Sequence, residues 1–280
     1  MAETVLARRG PVGLALATAR DLLADAGCET PRLDAELLLA EVLGVGRERL
    51  VIDRDEPLSA SDWVRFDTLV ARRRAREPVA YILGRRDFRH LTLSVDRRVL
   101  IPRPETELLV EIALGLPAGA RVLDVGTGSG AVALALADER PDLAVRGVDL
   151  DDGALAVAEA NAAALGLAVS FAVADLLDGE PADAILANLP YVPDGVAVAP
   201  EIARYEPAGA LFAGVDGLDV IRRLVTLVGR LGVARPALLA LELSPEQAAE
   251  VAALVADAGY ATVQRLCDLA GSERVVAGRA

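Results

Sequence analysis

A chain of 280 residues with 53% hydrophobic content has material for one large domain or two modest ones around a buried core. No run reaches the roughly 18 uninterrupted apolar residues of a spanning helix, and the segment Met1 to Gly10, with Arg8 and Arg9, leads into no apolar signal region, so no membrane is expected and the expected address is cytoplasmic. A formal net charge of -13 weighs against nucleic acid and suits a basic protein partner, while one histidine, His90, and two distant cysteines, Cys28 and Cys267, fit no metal spacing and read as buried free thiols.

From Pro11 to about Glu77 the apolar positions recur at helical spacing, in Val12-Leu14-Leu16-Ala17, in Leu22-Leu23 and in Leu33-Leu37-Leu38 with Val42-Leu43. Gly27 and Gly44 stand where helix C-caps fall, and Ser59 or Ser61 can cap a further helix bearing Trp63, Phe66, Leu69 and Val70. Residues 1–77 therefore read as a small helical bundle. The basic run Arg72-Arg73-Arg74-Ala75-Arg76 at its end reads as a solvated charged face.

Residues 78–104 form a linker. Val79-Ala80-Tyr81-Ile82-Leu83 and Leu91-Thr92-Leu93-Ser94-Val95 read as the two strands of a hairpin, and Pro102 and Pro104 punctuate the chain before Glu105 or Thr106 opens the next helix. From 105 to 280 strands alternate with helices. The strands are Arg121 to Val125, Ala144 to Asp149, Ala168 to Val173, Ala182 to Ala187, Ala237 to Leu243, Ala261 to Leu266 and Glu273 to Val276. Helices are expected at Ala131 to Asp138 and around Leu155 to Leu165. This predicts a doubly wound, mostly parallel, seven-stranded sheet. The last two strands are separated only by Asp268 to Ser272, too short for a parallel crossover, so that pair should be antiparallel.

Two motifs carry chemistry. Asp124-Val125-Gly126-Thr127-Gly128-Ser129-Gly130 lies between a strand and a helix, where glycines let the backbone turn tightly and approach a ligand. Asp149 ends the next strand, placed to accept from ribose hydroxyls. The plain alternative is a tight turn with no ligand. The spacing is G-x-G-x-G, so the dinucleotide fingerprint G-x-G-x-x-G fails at its third glycine.

The second motif, Asn188-Leu189-Pro190-Tyr191, follows an apolar strand. An amide nitrogen is a poor nucleophile because its lone pair is delocalised, so a site that alkylates it must accept its N–H hydrogens and aim it in line. The Asn188 side-chain oxygen and the Leu189 carbonyl can supply two acceptors. Pro190 stiffens the turn, and the Tyr191 ring can pack on a flat group. An ordinary strand-ending turn is the alternative.

The glycine motif resembles the first motif of class I S-adenosylmethionine methyltransferases. The resemblance sets Gly126, Thr127, Gly128, Ser129 and Gly130 against the amino acid part of the cofactor, with Asn188 beside it. It sets Asp149 against the ribose, and Asp175 and Leu176 against the adenine. Asn188 to Tyr191 resembles the (N/D)-P-P-Y motif of amino-methyltransferases. Over nearly the whole chain the closest likeness is to the release-factor glutamine N5-methyltransferases, the HemK family. It is carried by Tyr81-Ile82-Leu83-Gly84, Leu100-Ile101-Pro102-Arg103-Pro104-Glu105-Thr106-Glu107, Glu206-Pro207, Asp216-Gly217-Leu218 and Asp268-Leu269-Ala270-Gly271 with Arg274.

The resemblance implies methyl transfer from S-adenosyl-L-methionine, leaving S-adenosyl-L-homocysteine, to the glutamine of a Gly-Gly-Gln loop in peptide chain release factors, a step of translation termination. It implies a helical domain that helps to dock that protein, and a monomer is expected. Leu189 stands where the family has Pro, which frees its backbone dihedral but leaves its carbonyl. The spelling Asn-Leu-Pro-Tyr also resembles the ribosomal RNA adenine dimethyltransferases, so adenine N6-methylation of ribosomal RNA or DNA is the alternative. A non-catalytic cofactor-binding scaffold is a third reading. Glu105 and Glu107 read as capping or solvated carboxylates, Arg103 as a neighbour of the site by resemblance or an ordinary exposed arginine, and His90 as a surface or packing residue.

Overall fold

A computed structural model describes residues 10–280; the pair Arg8 and Arg9 lies outside the described residues. The chain divides into two compact units, residues 10–84 with 198–205, and residues 85–197 with 206–280.

In the first unit the helices are α1 (Val12–Asp25), α2 (Pro31–Leu43), α3 (Arg47–Ile52), α4 (Ala60–Arg74) and α5 (Val79–Leu83). Ser59 caps α4, accepting the Asp62 N–H at 3.1 Å, and Gly44 ends α2 in the left-handed conformation. Ala15, Leu23, Leu38, Leu39, Trp63, Phe66 and Val70 make the core of this unit. Two expectations are corrected here. Val79-Leu83 is a short helix rather than a strand, because Pro78 precedes it and left-handed Gly84 stops it, while Tyr81 and Ile82 go into the interior. The basic run is not a solvated face. Arg73 is 6% exposed, its Nε donates to Asp34 at 2.7 Å, and Arg76 grips Glu201 through Nε and Nη2 at 2.7 and 2.6 Å. Glu201 belongs to a later helix of this unit, introduced below, and Arg72 is taken by Glu77 at 2.8 Å.

The second unit opens with the hairpin β1 (Arg85–Phe88) and β2 (Leu91–Ser94), so the predicted hairpin is present with its first strand later in the chain. There follow α6 (Glu107–Ala113), β3 (Arg121–Val125), α7 (Ala131–Glu139), β4 (Ala144–Asp149), α8 (Asp152–Leu165), β5 (Ser170–Val173) and β6 (Ala184–Ala187). The chain then enters the first unit as α9 (Pro200–Tyr205) and returns through α10 (Asp219–Arg230), β7 (Leu238–Glu242), α11 (Ala248–Asp257), β8 (Thr262–Cys267) and β9 (Glu273–Arg279).

The seven strands lie in the order β5-β4-β3-β6-β7-β9-β8. The pairs among β5, β4, β3, β6 and β7 are parallel, and β9 runs antiparallel to both β7 and β8, as the short loop between the last strands predicted. Alternate residues face opposite layers. Val122, Ala184 and Leu186 join Leu134 and Leu109 on one face, and Leu123, Val125, Ile185 and Leu241 join Ile221, Leu224 and Val251 on the other. The winding reverses between β3 and β6, the place where an open α/β sheet leaves a crevice at its carboxyl edge. The cysteines are both free; Cys28 is buried, but Cys267 on the outermost strand is exposed, against the expectation of two buried thiols. No helix of the described residues is long and apolar enough to cross a membrane.

Candidate active site

The crevice between β3 and β6 brings the two sequence motifs together. The last registered pair is Val125 with Ala187, so Gly126 and Asn188 leave the sheet side by side. Gly126, Gly128 and Gly130 all take left-handed backbone angles, φ of 72°, 56° and 81°, which few residues but glycine adopt. At Gly126 a Cβ would also stand 3.1 Å from Leu189 Cδ2 and 3.6 Å from the Asn188 carbonyl oxygen. Any side chain at Gly126 would thus press on the Asn-Leu-Pro-Tyr corner.

The turn is tied down from below and from the side. Asp124, 2% exposed, accepts from the Thr127 hydroxyl at 2.7 Å and from the Ala133 N–H at 3.2 Å. Burial pushes its carboxyl up to about 6, those two donors opposing the rise and the nearby Asp149 charge adding to it. From β4, Asp149 Oδ2 takes the Gly128 N–H at 2.9 Å and Oδ1 the Asp151 N–H at 3.0 Å.

A cavity of about 650 Å³ opens on this turn. Gly126 to Ser129, Asp149, Asp175 and Leu176 line it, as do Asn188, Leu189 and Pro190; Gly130 and Tyr191 do not. Asp175 pairs with Arg223 at 2.6 Å at the rim, and Leu176 is buried with a positive φ of 74°, a strained conformation for a branched side chain. Asp124, Asp149, Asp151, Asp152 and Asp175 all reach the wall against only Arg98 and Arg223, so the cavity favours a cation. A group with a sulfonium and an ammonium charge, a ribose diol and a flat base fits these residues. The glycine turn leaves room where side chains would intrude, and Asp149 stands on the cavity wall at the end of its strand.

At the corner, Asn188 Nδ2 donates to Thr106 Oγ1 at 3.0 Å, which leaves the side-chain oxygen unspent by that contact. Thr106 was a candidate helix cap, yet its side chain makes no cap bond. Leu189 is 4% exposed and belongs to the buried hydrophobic cluster under the sheet, so the side chain found in place of Pro is used for packing. The Tyr191 carbonyl accepts from Gln247 Nε2 at 2.9 Å, and its hydroxyl lies 3.4 Å from Glu242 Oε1. Burial first, then the Glu242 charge, pushes the Tyr191 phenol upward. Arg103, read as a neighbour of the site or a surface residue, pairs with buried Glu206 at 2.5 Å, while His90 is exposed. Glu107 accepts the Arg89 N–H at 3.2 Å.

Sequence reasoning passed over Asp124, Thr106 and Glu242 as working residues. A lone carboxylate ending the apolar run Leu238-Leu239-Ala240-Leu241-Glu242 was a signal, since buried strands seldom carry one without a task.

Residues 15–84 match the PrmC N-terminal domain family and residues 104–205 the methyltransferase small domain family. The chain is 41% identical over 262 residues to the release factor glutamine methyltransferase of Rhodospirillum rubrum, covering 91% of this chain and 80% of that one. It is 42% identical over 272 residues to the protein of the same name from Cereibacter sphaeroides, covering 95% and 97%. Among solved structures, the hMettl16 catalytic domain in complex with MAT2A 3'UTR hairpin 6 aligns with a TM-score of 0.57 at 18% identity, over 75% of this chain and 81% of that chain, a likeness of fold.

Proposed function

The chain belongs to the release factor glutamine methyltransferases, and we propose that the cavity between the glycine turn and the Asn188 corner is where its transfer takes place. The enzyme moves a methyl group from S-adenosylmethionine to the side-chain amide nitrogen, N5, of a release-factor glutamine. When bound, the cofactor supplies a methyl carbon made electrophilic by its sulfonium.

Every other part of the reaction falls to the chain. Gly126 to Ser129 hold the amino acid end of the cofactor, with Gly130 completing the turn behind them, Asp149 holds the ribose, and Asp175 with Leu176 the base. Asn188 Oδ1 and the Leu189 carbonyl accept the two N–H hydrogens of the glutamine amide, turning its nitrogen toward the methyl. Holding a nucleophile at attack distance replaces a rare encounter with a standing one. Pro190 stiffens the corner, and Tyr191, tethered at its carbonyl by Gln247 and packed on the core, braces it from behind. Methylation leaves a cationic amide that sheds a proton readily, so no dedicated base is needed.

The observation that carries this reading is the orientation of Asn188. Its amide nitrogen is held at 3.0 Å by Thr106, so the atom left for a substrate is an acceptor. The test incubates the protein with radiolabelled S-adenosylmethionine and either release factor or RNA. Label in the release factor that disappears on Gln→Ala within its Gly-Gly-Gln loop supports the proposal; label only in RNA overturns it.

A further inference from the structure

We propose that Glu242 and Thr106 form a positioning relay that decides which end of the Asn188 carboxamide faces the substrate. The inference rests on the reading of the site as a glutamine methyltransferase and adds residues to it.

Register brings the three groups together. β6 and β7 are parallel with Ala187 opposite Leu241, so Asn188 and Glu242 are the next residues along at the carboxyl edges of neighbouring strands. Thr106, at the start of α6, reaches the same place from the chain's earlier half.

A carboxamide has an acceptor end and a donor end of nearly equal size, and a half-turn about its last bond exchanges them. Only the oxygen end can take an N–H from a glutamine amide; the nitrogen end would set donor against donor. Thr106 alone does not settle the choice, because a hydroxyl can either accept or donate. If its proton pointed at Asn188, the Asn188 oxygen would turn inward and the wrong end would meet the substrate.

Glu242 removes that ambiguity. It is 1% exposed, and its Oε2 is buried without a hydrogen-bond partner. The Tyr191 hydroxyl lies 3.4 Å from the other oxygen, Oε1, and the Thr106 hydroxyl is near enough to this carboxyl to hold its pKa down. An ionised carboxylate only accepts, so it draws the Thr106 proton to itself and leaves the Thr106 lone pair for Asn188 Nδ2. The polarity of the whole line follows: Asn188 nitrogen to Thr106 oxygen, Thr106 proton to Glu242.

The relay has a pH limit. Burial pushes the Glu242 carboxyl up to about 7; Glu105 pushes in the same direction, while the Thr106 and Tyr191 hydroxyls and Arg274 oppose it. A protonated Glu242 can donate to Thr106, turning that hydroxyl toward Asn188 and reversing the line.

The test measures kcat, KM for release factor, cofactor Kd and the pH profile for the intact enzyme and for Thr106→Val, Thr106→Ser and Glu242→Gln. Thr106→Val should lower kcat by about 10- to 100-fold, the scale of a misaimed reacting group, with cofactor Kd within about twofold. Thr106→Ser should restore most of that rate. In Glu242→Gln the rise of kcat with pH near neutrality should vanish. Wild-type kcat in Thr106→Val, or a Thr106→Ser enzyme as slow as Thr106→Val, overturns the relay, and the Thr106 pair decides it if Glu242→Gln does not fold. A normal rising limb in folded Glu242→Gln also overturns it. Failure of the unsubstituted enzyme to label release factor at all sinks the underlying reading instead, and the relay with it.

Discussion

The Gly128 N–H donates to Asp149 Oδ2 at 2.9 Å, so the acid proposed for the cofactor ribose also ties down the glycine turn proposed for its amino acid end. Asp149→Ala should therefore do more than remove one acceptor. It frees the turn, and cofactor affinity should fall by about 100-fold, the upper end of what one charged hydrogen bond contributes. Isothermal titration with S-adenosylhomocysteine reads this directly; affinity within a few-fold of wild type would remove Asp149 from the site.

Gly126 and Leu189 give a steric counterpart. Gly126→Ala sets a Cβ 3.1 Å from Leu189 Cδ2 on a backbone at φ 72°, so both strain and crowding oppose it. A stability loss of about 1 kcal/mol is expected from the backbone alone. In the Leu189→Ala background Gly126→Ala should cost less stability because the contact is relieved, a non-additivity that a double-mutant cycle of unfolding free energies measures.

Asn188→Ala should leave cofactor binding within about threefold while kcat falls by about 100-fold or more, since the side chain is assigned to the substrate amide. Equal turnover in that variant would take Asn188 out of the mechanism.

The reach of sequence reading differs between these features. The glycine turn, the neighbouring strands and the antiparallel closing pair were legible because they depend on local spacing: glycines after an apolar run, or a loop too short to cross over. Val79-Leu83 misled because a five-residue apolar run containing Val, Tyr and Ile looks alike in a strand and in one helical turn, and the interior that receives Tyr81 and Ile82 tells them apart. Arg73 and Arg76 looked solvated because their partner Glu201 lies 125 residues beyond Arg76 in sequence. Thr106 reaches Asn188 across 82 residues, and no periodicity encodes such a meeting.

Two buried acids give stability a pH dependence of definite sign. Asp124 titrates at about 6 rather than 3.8, and Glu242 at about 7 rather than 4.5. Between those limits the folded chain keeps protons that the unfolded chain has released, so these groups lower stability as pH rises from about 4 to about 7. Each shift corresponds to roughly 3 kcal/mol at its full extent. Urea midpoints followed across that range should decline less steeply in Asp124→Asn than in wild type. Identical slopes would contradict the assignment.

In the helical unit, Arg73→Met should leave Asp34, 4% exposed, as an unpaired buried carboxylate. A loss of about 3 kcal/mol is expected, far above that of an exposed pair. Denaturant unfolding followed by the fluorescence of Trp63, which lies in that core, reports it. A change below about 1 kcal/mol would show that the pair contributes little.

The path of residues 198–205 bears on how this protein can be dissected. Because α9 completes the helical unit from within the later sequence, a recombinant fragment ending near Gly84 would lack Glu201, the carboxylate that answers both Arg73 and Arg76. Such a fragment would leave Arg76 without its carboxylate partner and Arg73 with Asp34 alone. Cutting the gene at the apparent boundary would yield an incomplete module, and studies of the helical unit in isolation would need the α9 peptide supplied back, covalently or in trans.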